Sequence, residues 1–92
     1  MKILIVEDEV KTAEYLKRGF QEAGYTVNVV TDGLDGFHHG CTDDHDLVIL
    51  DVMLPRMDGW QILAAWRVAN RHMPVLLLTA KEQVQDRVRG LE

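Results

Sequence analysis

The sequence predicts a doubly wound α/β domain built on a parallel sheet, and three observations carry that prediction. Short apolar runs alternate with segments whose apolar residues recur every three or four positions. Two of the runs, Leu47-Val48-Ile49-Leu50 and Val75-Leu76-Leu77-Leu78, contain no polar residue, as strands covered on both faces require. Acidic or hydroxyl residues follow three of the runs directly: Glu7-Asp8, Asp51 and Thr79.

Each element has its own reason. Lys2 to Val6 is aliphatic and β-branched, a first strand. Val10, Ala13, Leu16, Phe20 and Ala23 then share one face of a helix that Gly24 ends. Thr26 to Val30 reads as a second strand, and Asp32-Gly33 as a turn. A short helix with Leu34, Phe37 and Cys41 on one face leads to the third strand, Leu47 to Leu50. Pro55 and Met57-Asp58-Gly59 form a loop, followed by a helix that buries Ile62, Leu63, Trp66 and Ala69. Pro74 introduces the fourth strand, Val75 to Leu78, and Val84, Val88 and Leu91 begin a last helix. The βα alternation implies right-handed crossovers with helices on both faces of the sheet.

Bulk properties narrow the function. The 92 residues suit one domain, and 47% are hydrophobic, as in a globular core. Fifteen acids against ten bases give a net charge of −5, which argues against this segment gripping nucleic acid or an anionic membrane by itself. No apolar run reaches the ~20 residues that span a bilayer. The single cysteine, Cys41, excludes an internal disulfide and points to a reducing, cytoplasmic setting.

The chemistry is expected beyond the carboxyl ends of the strands, where sheets of this kind bind ligands. Glu7, Asp8 and Asp51 meet there, with Thr79-Ala80 beside them. Three neighbouring carboxylates repel one another, and either raised pKa values or a cation relieves the repulsion. Hard oxygen donors without sulfur favour Mg²⁺, and a metal makes an aspartate useful as a phosphoryl acceptor. Taken singly, Asp8 fits a helix cap and Thr79 a partner for a loop amide equally well.

Taken together, Ile3-Leu4-Ile5-Val6-Glu7-Asp8-Glu9, Asp51-Val52-Met53-Leu54-Pro55-Arg56-Met57-Asp58-Gly59 and Leu78-Thr79-Ala80 resemble the signature blocks of bacterial response-regulator receiver domains. The likeness is to the OmpR/PhoB class, and within it to the heavy-metal-responsive branch. It implies a flavodoxin-like (CheY-like) fold, with Asp51 as phospho-acceptor and Asp8 as a direct Mg²⁺ ligand. Glu7 would act on the metal through water, and the Met53 backbone carbonyl would complete its site. Thr79 would be the switch hydroxyl with Ala80 beside it, and Pro55 and Gly59 would shape the loop. The implied donor is a sensor histidine kinase docking near the first helix. The implied output is transcription regulation through DNA binding, without turnover catalysis.

Receivers of this family carry a further strand bearing a lysine, and a fifth helix. This sequence ends at Gly90-Leu91-Glu92, and neither Lys81 nor Lys2 stands where that lysine belongs. Residues 1–92 therefore read as a receiver without its last βα unit, with the DNA-binding effector domain outside the chain. In the family's strand order 2-1-3-4-5, the fourth strand would then be an apolar edge, favouring a homodimer or domain-swapped self-association. Among alternatives, a haloacid-dehalogenase-like phosphatase would need a second aspartate where Met53 stands. A nucleotide binder would need a glycine-rich loop where Glu7-Asp8-Glu9 stands. A soft-metal site at His38, His39, Cys41 and His45 is disfavoured by spacing. Arg67 and Arg71 are expected on a solvated helix face.

Overall fold

The computed structural model describes residues 1–78. Four parallel strands, β1 (Lys2–Val6), β2 (Thr26–Val30), β3 (Leu47–Asp51) and β4 (Val75–Leu78), lie in the order β2-β1-β3-β4. Three helices connect them: α1 (Val10–Glu22), α2 (Gly33–Thr42) and α3 (Gly59–Val68). The helix expected around Val84, Val88 and Leu91 lies outside the described residues.

Strand alternation divides the core in two. Leu4, Val6, Val48, Leu50, Val75 and Leu77 pack with Ile62 and Trp66 of α3, and with Phe37 and Cys41 of α2. Ile3, Ile5, Val27 and Ile49 point the other way, onto Leu16 and Phe20 of α1. Both faces of the sheet are thus covered, the reason these strands carry unbroken apolar runs. Gly24, at φ 99°, provides the left-handed residue that ends the first crossover.

Several expected faces shift. Val10 opens α1 but is exposed, and Ala23 and Ala69 are exposed helix caps, because an end residue has no further turn to hold it against the core. On α2 the residues turned fully inward are Gly33, Gly36 and Gly40, while Leu34 is exposed. A Cβ at Gly36 would lie 2.6 Å from a Val6 methyl, and one at Gly40 2.3 Å from the Trp66 indole. The helix lies this close to its neighbours because the side chains are absent.

Arg71 also departs from expectation. It follows α3 and is half-buried, its Nε donating to the Gly40 carbonyl at 2.9 Å and its guanidinium to the Asp43 carbonyl at 2.8 Å. A 3.2 Å ion pair with Asp44 adds to this. The carbonyls at the end of α2 lack partners within their own helix, which is what draws a cation there.

Gly19, inside α1, faces open space with nothing within 4 Å of a Cβ position. Gly19→Ala is therefore expected to stabilise the chain by up to about 1 kcal/mol, from helix propensity alone. Urea denaturation reads this directly, and an unchanged or lower midpoint refutes it.

Candidate functional site

β1 and β3 are neighbours in parallel register, so their carboxyl ends emerge side by side. Glu7 follows β1 and is still tied to the sheet, its N–H donating to the Val30 carbonyl at 3.0 Å. Its side chain is buried, with Oε2 accepting from the Glu9 N–H at 2.9 Å. Asp51 is the last residue of β3 and is 1% exposed. Its Oδ1 accepts from the Met53 N–H at 3.1 Å, which fixes the carboxylate's orientation. Asp8 is exposed beside them. One carboxylate oxygen from each of Glu7, Asp8 and Asp51 lies within 4.8 Å of the others.

The helix-cap explanation of Asp8 is excluded by position, since Glu9 occupies the N-cap of α1 and makes no side-chain cap bond. Two buried carboxylates and one exposed form a concentrated negative locus open to solvent on one side. The donor set is all hard oxygen, with solvent access through Asp8 for retained waters, and it fits Mg²⁺ better than a softer ion. Among the described residues this is the group of ligating side chains that converges. His38, His39, Cys41 and His45 do not form one.

The loop after β3 is held by several bonds. The Pro55 carbonyl accepts from the Gly33 N–H at 3.0 Å, anchoring the start of α2, and from the Met57 N–H at 2.9 Å. Arg56 between them takes a left-handed φ of 74°. Gly59 opens α3, donating to the Val52 carbonyl at 2.9 Å, and a Cβ there would lie 2.6 Å from the Asp51 carbonyl oxygen. Only glycine allows the helix to begin this close to the aspartate strand. Asp58 caps α3 in a reciprocal capping box with Gln61. The sequence reading places Asp58 in the loop without its capping role, although the Asp58-Gly59-Trp60-Gln61 spacing carries the signal.

Met53 is 67% exposed, and with Trp60, Leu54, Pro55 and Asp58 it lines a shallow groove reaching Asp8. Lys2 begins β1 and so sits at the opposite end of the strand from Glu7. Thr79, Ala80 and Lys81 lie outside the described residues. No helix among the described residues is long and apolar enough to cross a membrane.

Comparison with known proteins follows the same lines. The family model for the response regulator receiver domain matches residues 3–92. The transcriptional regulatory protein CusR of Escherichia coli is 54% identical over 92 residues, the match covering all of this chain and 40% of that protein. The chain thus spans well under half the length of the curated relatives it matches. The receiver domain of Francisella response regulator 1452 superposes with a TM-score of 0.84 at 30% identity, covering 92% of this chain and 70% of that one. TrrA of Thermotoga maritima, solved in complex with Mg²⁺-BeF, gives a TM-score of 0.80 at 30% identity, covering 92% and 75%. With its strand order, its carboxylate cluster and these relatives, the chain belongs to the response regulator receiver domain family.

Proposed function

We propose that residues 1–92 act as the phospho-acceptor unit of a transcriptional response regulator, with Asp51 receiving a phosphoryl group from a sensor histidine kinase. The observation that carries this reading is the convergence of Glu7, Asp8 and Asp51 within 4.8 Å at the carboxyl ends of two adjacent strands. Asp8 and Asp51 would hold Mg²⁺ directly, Glu7 through water, and Met53 through its backbone carbonyl. When bound, the metal supplies the positive charge that neutralises phosphoryl oxygens. Asp51 contributes the nucleophile: a carboxylate oxygen forms the bond to phosphorus as the bond to the kinase imidazole nitrogen breaks, and the imidazole leaves with that electron pair. The Met53 N–H holds the carboxylate in place for this attack. Thr79 and Ala80 would meet the transferred group, and Pro55 and Gly59 would keep the loop shaped around it. The same site would assist hydrolysis of the acyl phosphate, without catalysing turnover of a small substrate. The setting is cytoplasmic, and the output is DNA binding by an effector domain of the whole protein.

Incubation of the chain with acetyl phosphate and Mg²⁺ is expected to yield a hydroxylamine-sensitive acyl phosphate, read by mass spectrometry. No adduct, either in this chain or in one extended through a fifth strand, overturns the reading. Light scattering addresses the proposed self-association through β4: a mass independent of concentration counts against it.

Trp60 is 40% exposed and shares the groove with Asp8, whereas Trp66 is fully buried. Titration with Mg²⁺ is therefore expected to change tryptophan emission through Trp60 alone. Trp60→Phe should abolish the change and leave Trp66 as a constant background. A response that survives in Trp60→Phe would place the ion elsewhere.

A further inference from the structure

At the far end of the sheet from the carboxylates, His45 sits in the turn between α2 and β3 and is 8% exposed. Its Nε2 lies 3.4 Å from the Asn28 amide nitrogen on β2. Its Nδ1 is sealed from solvent with no hydrogen-bond partner among the described residues. A neutral imidazole has one donor and one acceptor, whereas an imidazolium has two donors. Whichever way the Asn28 amide is turned, it can serve only one ring nitrogen. The second N–H of an imidazolium would have the Asp43 backbone to turn to, and that carbonyl already accepts from the Arg71 guanidinium at 2.8 Å. We infer that His45 is a proton-operated latch: neutral, it helps close the α2–β3 turn against β1 and β2, and protonated, it weakens that closure.

The charges around the ring favour the neutral form. Burial holds the His45 pKa below its ordinary value of 6.5, the positive charge of Lys2 at the start of β1 adds to this, and His39 on α2 contributes in the same direction. Asp43, at the end of α2, opposes them through its charge and its backbone. Asp44, Arg71 and His72 line a small cleft with His45. Arg71 donates to the carbonyls of Gly40 and Asp43 and pairs with Asp44, whose carboxylate lies in solvent. Asp46 is likewise engaged, its carboxylate accepting from the Lys2 backbone N–H at 2.8 Å.

The direction of the pH dependence follows. Below 6.5 the unfolded chain binds a proton at this residue more readily than the folded one. The contribution of His45 to stability is therefore complete above that pH and is lost as pH falls below it.

An NMR titration of the 92-residue chain is expected to place the His45 midpoint below 6.5, with shift changes concentrated in the α2–β3 turn. Asn28→Asp puts a carboxylate beside Nε2 and should move that midpoint upward. In urea denaturation between about pH 7.5 and about pH 5.5, the unfolding constant of the native sequence should rise more than that of His45→Gln. His72→Gln, altering an exposed ring, should behave like the native sequence. A His45 midpoint at or above 6.5 overturns the latch, and so does an identical pH dependence in His45→Gln. If His45→Gln does not fold, the titrations of the native chain and Asn28→Asp decide the matter.

Discussion

Asp51→Asn is expected to abolish the hydroxylamine-sensitive acyl phosphate while leaving the circular dichroism of the chain intact. The amide keeps the shape of the side chain and an oxygen able to accept from the Met53 N–H, so the loop after β3 has little reason to move. It removes the nucleophilic carboxylate, and no neighbour can replace it. Glu7 is buried and tied to the Glu9 N–H, and Asp8 sits in the loop after β1. The substitution also removes one of three charges converging within 4.8 Å, so affinity for Mg²⁺ falls. In the native sequence, Mg²⁺ at a hundredfold excess over its dissociation constant should add about 2.7 kcal/mol of stability. That increment should shrink sharply in Asp51→Asn. Asp8→Asn separates the two roles: it should raise the Mg²⁺ requirement about tenfold or more, the effect of losing roughly 1.4 kcal/mol of charge interaction, yet still permit an adduct at saturating metal. An acyl phosphate of undiminished yield in Asp51→Asn would transfer the acceptor role to another residue.

The carboxylate cluster could be read from the sequence because its logic is one-dimensional. A strand must end somewhere, parallel strands end together, and Glu7-Asp8 and Asp51 stand immediately after their apolar runs. Trp66 was legible for a similar reason, since it recurs with Ile62 at helical spacing. The inner face of α2 was not legible, because hydrophobic periodicity registers side chains and this face is made by their absence at Gly33, Gly36 and Gly40. Leu34, Phe37 and Cys41 drew the expected face toward themselves; Phe37 and Cys41 do pack against the core, and Leu34 does not. Arg71 escaped for another reason. Its partners at Gly40 and Asp43 are about thirty positions away, and a helix end shows in sequence its own orphan carbonyls but never the cation that reaches them. His45 combined both difficulties, being polar in sequence and buried by partners from other elements.

The glycine face gives Trp66 its environment, and Trp66→Ala is expected to cost about 3–5 kcal/mol. The ring is fully buried in the cluster with Leu4, Val48, Leu50, Val75 and Leu77. Its indole N–H donates to the Phe37 carbonyl at 3.0 Å, so truncation also strips a partner from the middle of α2. For a chain of this size total stability is of order 5–15 kcal/mol, and such a loss consumes a large part of it. Urea denaturation gives the value, and a cost below about 1 kcal/mol would mean that α2 collapses onto the sheet without the ring. Gly40→Ala probes the same contact from the other side. In an open helix that change would help by up to about 1 kcal/mol, but here the new Cβ meets the indole at 2.3 Å and overpacking of about 1–3 kcal/mol should prevail. The two substitutions must then be coupled, because the alanine methyl enters the space that the lost ring vacates. Gly40→Ala/Trp66→Ala should be less destabilised than the sum of its parts, and strict additivity would show that the glycine and the ring do not share that space.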